Sequence, residues 1–181
     1  MRYIFLKRKY VHIFILILFV FINQNCGEKK YMKKNLKQID NKHVFDKAKW
    51  HEKSVLEEGQ DLEQSFVHTG LFFAWLINNN MVSGEFLKET SSPILEDFKN
   101  RKLSPSYLYK DWDGVLKGEM LTEEGYNFTL SYYESPGTYL DDYYVKAFIA
   151  NNGKLFNIRD TWENYDKLKP FIDEAYKDWR K

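Results

Sequence analysis

Apolar positions run more continuously between Gln60 and Phe86 than anywhere else in the chain beyond its N-terminal segment, and their spacing there predicts one core helix. Leu62, Phe66, Phe73, Leu76 and Ile77 form an apolar stripe at helical spacing. His68, Phe72, Trp75 and Asn79 form a second stripe beside it, at intervals of four, three and four. From Leu71 to Ile77 every residue is apolar, so this half is expected to be enclosed on most sides. Asp61 is placed to cap the start, with Gln64 reaching back to it, and Asn78, Asn79 and Asn80 supply the stop. The result is a central helix over about 61–79.

Shorter elements follow in order. Ser92 before Pro93 and Ser104 before Pro105 mark two short helix starts, and Thr122 with Glu123 and Glu124 marks a third. Thr138 to Ile149 fits helix or strand equally, and Asn152-Gly153 predicts a turn, with a small β-hairpin near 150–160. Asp160 and Glu163 open a closing helix that carries Trp162, Tyr165, Leu168, Ile172, Tyr176 and Trp179 on one side, with a kink or break expected at Pro170. The fold class is mainly α, a single compact multi-helix domain around the central helix. Aromatics make up 18% of the chain, so rings are expected to fill much of that core.

The N-terminus breaks this pattern. Residues 1–25 carry Arg2, Lys7, Arg8 and Lys9, no acid, and an apolar run from Tyr10 to Ile22 interrupted only by His12. That run is short of the roughly 20 residues a spanning helix needs. The layout resembles a bacterial lipoprotein signal peptide, which would make Cys26, the only cysteine, the lipidated first residue of the mature chain. Asn23, Gln24 and Asn25 depart from the small residues usual before that cysteine, which leaves an uncleaved anchor or a soluble secreted form as alternatives.

Cleavage changes the charge. It removes four of 27 basic residues and none of the 26 acidic ones, so a formal +1 becomes −3. A mildly acidic domain argues against nucleic acid as a partner. The basic run Lys29, Lys30, Lys33, Lys34 and Lys37 reads as part of a flexible tether over 26–43, lying on anionic headgroups. The domain proper is placed at 44–181.

Three segments carry a resemblance: DKAKWH at 46–51, HTGLFFAWLINNNMVS at 68–83 and DTWENYDKLKP at 160–170. Together they resemble an uncharacterised family of small bacterial domains. The resemblance implies one compact domain and brings no settled activity. It also implies cytoplasmic members without a leader, from which the N-terminal segment here departs.

Candidate chemistry is sparse. His51 and His68 lie beside aromatic rings and are the candidates for a metal or a proton-transfer pair, against the plainer reading of hydrogen-bonded core histidines. There is no H-E-x-x-H, no nucleophile elbow and no phosphate loop, and no carboxylate stands at a diagnostic interval from either histidine. No catalytic residue, metal or cofactor is therefore assigned. Trp50, His51, His68, Phe72, Trp75 and Trp162 are the candidate binding residues, with Trp75 and Trp162 expected in the core and Trp50 and Trp179 evenly balanced. The expected function is a lipid-anchored, non-catalytic protein-binding domain of the bacterial envelope, an immunity-type role being one version. The alternatives are a metal binder or hydrolytic enzyme using His51 and His68, and a structural envelope component with an exposed apolar patch.

Overall fold

A computed structural model describes residues 36–136, 138–148 and 156–181. The signal segment, Cys26 and most of the tether lie outside the described residues, as does the Asn152-Gly153 turn. Residues 36–43, the end of the expected tether, are laid against the domain: Asn127 accepts from the Lys37 N–H at 2.7 Å and donates to its carbonyl at 3.0 Å.

Strand β1 (Val44–Lys47) opens the domain and leads through a 3-10 turn (Ala48–Trp50) into α1 (Glu52–Glu57). A 3-10 segment (Leu62–Phe66) runs into the central helix α2 (Val67–Asn78). Then come α3 (Gly84–Glu89), α4 (Ser92–Lys99), α5 (Tyr107–Asp111) and strand β2 (Val115–Lys117). Helix α6 (Glu123–Tyr132), a π-helix (Asp141–Ala147) and α7 (Trp162–Trp179) complete the fold. Among the described residues no helix is long and apolar enough to cross a membrane.

The mainly α fold and the buried central helix agree with the sequence pattern. Every residue of α2 from Val67 to Ile77 is buried. Phe72 meets Tyr132, Tyr133 and Tyr139, Phe73 meets Phe86, and Trp75 meets Phe128 and Tyr176. The first predicted turn differs. Leu62 is exposed and Phe66 only partly buried, since residues 62–66 coil more tightly and rotate the stripe off the core.

The capping chemistry is partly redistributed. Asp61 caps as expected, through the Glu63 N–H at 2.8 Å, but Gln64 accepts from Ile158 N at 3.0 Å instead of closing a box. Ser91, not Ser92, occupies the N-cap position of α4, without a side-chain capping bond, and α5 starts after Ser106 rather than Ser104. Thr122 caps α6 through Gly125 N at 3.1 Å. Thr161 replaces Asp160 at the start of α7, because Asp160 is drawn to Ser106, accepting from its N–H at 3.0 Å and its hydroxyl at 2.5 Å. Helix α7 also passes through Pro170 unbroken. Pro170 and Asp166, whose carbonyl loses a donor, both face solvent, so water can replace the missing bond while Leu168 and Ile172 hold the inner face.

The hairpin expected near 150–160 falls largely outside the described residues, and the sheet seen among them is formed elsewhere. It pairs β1 with β2 antiparallel, Asp46 opposite Leu116, with a bulge between Val44 and Asp46. In a regular strand neighbouring side chains point to opposite faces, yet Phe45 and Asp46 are both buried. The bulge is what turns a carboxylate inward beside a core phenylalanine.

Helix α2 lies tight against the turn before α5. A Cβ on Gly70 would lie 2.7 Å from Ser106 Cα, which is backbone and cannot rotate aside. Gly70→Ala is expected to lose about 1–3 kcal/mol in urea unfolding despite its better helix propensity. Gly84→Ala, with nothing within 4 Å of the added methyl, is the matched control and should be neutral or slightly stabilising.

Candidate functional site

The buried Asp46 carboxylate collects donors from three parts of the chain. His51, at the junction of the 3-10 turn and α1, holds Oδ1 through Nε2 at 2.7 Å. Thr69 of α2 donates its hydroxyl to Oδ2, and Tyr109 of α5 donates to the same oxygen at 3.2 Å. Because the single hydroxyl proton of Thr69 is spent on Asp46, the Tyr133 hydroxyl at 2.6 Å donates to Thr69. An ionised carboxylate only accepts, so His51 carries its proton on Nε2.

His68 approaches from the first turn of α2. Its ring centroid is 4.5 Å from that of His51, nearly perpendicular, and its Nε2 lies 3.7 Å from Asp46 Oδ2. That distance suits an ion pair and is too long for a hydrogen bond. His68 is 4% exposed, and its Nδ1 has no hydrogen-bond partner among the described residues.

These groups floor an open cavity of about 290 Å³ lined by Asp46, His51, Ser54, His68, Tyr133, Leu140, Tyr144 and Phe156. The π-helix and its N-cap bring Tyr144 and Leu140 to one wall. Phe156 forms another, with its N–H on Glu58 Oε2 at 3.2 Å and its ring centroid 6.2 Å from that of His51. A larger cleft of about 370 Å³ near Trp112 is bordered by exposed Glu85, Glu89 and Glu119, without a comparable buried cluster.

Electrostatics sharpen the division of roles. Burial pushes the Asp46 pKa up, but the His51 hydrogen bond, the two imidazoles and Thr69 outweigh it and hold the group at about 2. Burial lowers His68 to about 4, against the pull of Asp46, so the ring is neutral near pH 7. Burial and the Asp46 charge raise Tyr109 and Tyr133, which remain hydroxyl donors. The floor is thus a fixed anion beside a neutral imidazole, with one ligand atom from each of Asp46, His51 and His68 within 4.8 Å of the others.

Of the six sequence candidates, His51 and His68 converge here. Phe72 and Trp75 are wholly buried core residues behind the site, with the Trp75 indole N–H on Asp173 at 2.8 Å. Trp50 is 57% exposed and lies beside Lys47. Trp162 packs elsewhere, donating to the Leu103 carbonyl at 2.7 Å, meeting Phe98 edge-to-face and lying under Arg101, and Trp179 is buried. The carboxylate that sequence spacing failed to supply is Asp46, five residues before His51 in the same DKAKWH segment. Its signal was a lone acid in an otherwise apolar and basic strand start, legible only once the bulge is known. Thr69, next to His68 on α2, is a hydrogen-bond donor to that acid.

A family model described as "Domain of unknown function (DUF7832)" matches residues 44–157. This range contains every residue that lines the cavity and stops before α7, which carries the third segment of the sequence resemblance. No curated protein and no solved structure matches the chain.

The two depressed pKa values set the acid limb of stability. The unfolded chain binds a proton at His68 near pH 6.5 while the folded chain waits until about 4, so stability falls as pH drops through 6.5 to 4. Asp46 adds a second loss between about 3.8 and 2. The first window is worth on the order of 3 kcal/mol. Urea titrations of wild type and His68→Gln between pH 7 and 4 should show that slope in the wild type and a clearly flatter one in the variant.

Proposed function

The chain belongs to this family of domains of unknown function, and we propose that it acts in the bacterial envelope as a lipid-anchored, non-catalytic domain that binds another protein over the Asp46–His51–His68 cavity. The observation that carries the reading is the placing of exposed apolar groups. Trp50 and Leu56 stand on the turn and helix that supply His51 and Ser54, Leu62 precedes the helix of His68, and Leu140 and Val145 flank Tyr144 on the π-helix. Exposed apolar groups on the elements that line a pocket with a polar, buried floor, Leu140 standing on its wall, suit a protein-binding hot spot, where an anchor side chain enters and its surroundings exclude water. The anchoring part rests on the basic and apolar N-terminal segment that ends at Cys26. A mildly acidic mature domain suits a basic partner, and neutralisation of a toxin is one form such binding takes.

Two measurements test this. Intact mass of the mature chain from a membrane fraction should begin at Cys26 and carry lipid; an unprocessed cytosolic protein would refute the envelope placement. Capture from envelope extract should retain a defined partner on the wild type and lose it at least tenfold with Leu140→Asp combined with Val145→Asp. Equal recovery on both proteins would refute the cavity rim as the binding surface.

A further inference from the structure

The same floor has the geometry of a metal centre. One carboxylate and two imidazoles, from β1, the start of α1 and α2, place one ligand atom each within 4.8 Å of the others. An ion bound at about 2.0–2.1 Å spaces its ligand atoms about 2.9–3.4 Å apart, from octahedral to tetrahedral angles. The two imidazoles meet the two carboxylate oxygens of Asp46, His51 Nε2 at 2.7 Å from Oδ1 and His68 Nε2 at 3.7 Å from Oδ2, so small side-chain adjustments bring the three groups to that spacing. His51 is partly exposed and can swing to close the remaining gap, whereas Asp46 and His68 are locked by their surroundings.

His68 is the independent pointer. A histidine retained only for packing is hydrogen-bonded in the great majority of cores. Here a nearly inaccessible ring has no partner at Nδ1 among the described residues, and Nε2 faces the carboxylate beyond hydrogen-bond distance. Coordination would give Nε2, which faces the carboxylate without a hydrogen bond, a partner of its own. Asp46 is oriented by Thr69 and Tyr109, the kind of outer support that fixes a metal-binding carboxylate.

We infer that Asp46, His51 and His68 form a three-ligand site for one divalent first-row transition ion, whose remaining coordination positions open on the cavity. Two nitrogens and one carboxylate suit zinc, iron, cobalt or nickel; calcium and magnesium call for shells built of oxygen. The inference rests on this cavity being the functional site and is independent of whether a protein partner exists. It deepens the binding reading by naming what occupies the floor of the pocket, with a water or a partner's side chain completing the shell.

The test uses the full chain in detergent, stripped with EDTA and titrated with Co²⁺, with Zn²⁺ measured by competition. One Co²⁺ per chain should bind with visible d–d absorption, and Zn²⁺ at 100-fold over its Kd should raise Tm by roughly 5–10 °C. Cys26→Ser and His43→Ala should leave binding unchanged, which separates this site from the thiol and from the surface His43–Glu134 pair. His51→Ala, at a partly exposed position and taken forward only if circular dichroism shows the wild-type fold, should weaken binding by roughly 100-fold or more, and Asp46→Asn, which keeps the shape of the group, likewise. Absence of saturable Co²⁺ or Zn²⁺ binding to the folded wild type would overturn the site, as would binding that survives His51→Ala. Partner capture together with no saturable metal binding refutes the metal site alone, and metal binding with no partner refutes the protein-binding reading alone.

Discussion

A carboxylate taken out of water costs several kcal/mol unless its surroundings return what hydration supplied, and Asp46 is the place where this domain meets that constraint. The surroundings come from every side. A strand bulge points the group inward, α2 and α5 supply hydroxyl donors, and the turn into α1 supplies an imidazole. None of these elements can move without leaving a buried charge short of a partner. The network therefore ties the short β1–β2 sheet, the central helix and the start of α1 into one unit, although each is too small to be stable alone.

The aromatic core gives that network its rigid backing. Phe72 and Trp75 sit one and two turns beyond His68 on α2, where rings from α6, the π-helix region and α7 pack around them. Tyr133 and Tyr139 belong to both systems: their rings pack on Phe72, while their hydroxyls reach Thr69 and the His68 carbonyl. A tyrosine is suited to this seam because its body is apolar and its tip is a donor. The polar floor is in this way built onto the core, so that its geometry follows from packing as much as from hydrogen bonds.

The walls of the cavity are of another kind. Leu140 and Tyr144 come from a π-helix, a wider turn that is uncommon and recurs at functional sites. Phe156 is positioned by Glu58 and its neighbour Ile158 by Gln64, two side chains that reach across from the segment between α1 and α2. Exposed apolar groups accumulate on these same elements while the opposite, aromatic side of α2 is sealed. The division suits a site whose floor is fixed and whose rim meets a partner.

Periodicity in the chain was enough to establish the mainly helical class, the central helix and its burial, the Thr122 start and the inner face of α7, because each follows from contacts within about one helical turn. The two histidines stood out for the same local reason, lying next to rings within recognisable segments. What local pattern could not contain is pairing across distance. Asp46 becomes a partner of His51 and His68 only through a bulge whose register is set by Leu116, some 70 residues away, and Gln64 and Asp160 leave their expected caps for partners about as remote. Trp162 and Trp50, equally conspicuous by composition, were placed outside the cavity by the same tertiary choices. Sequence by itself determined which groups were costly to bury; only the tertiary structure decided which of them would be buried together, since that depends on which donors the packed chain can bring within hydrogen-bond reach of one carboxylate.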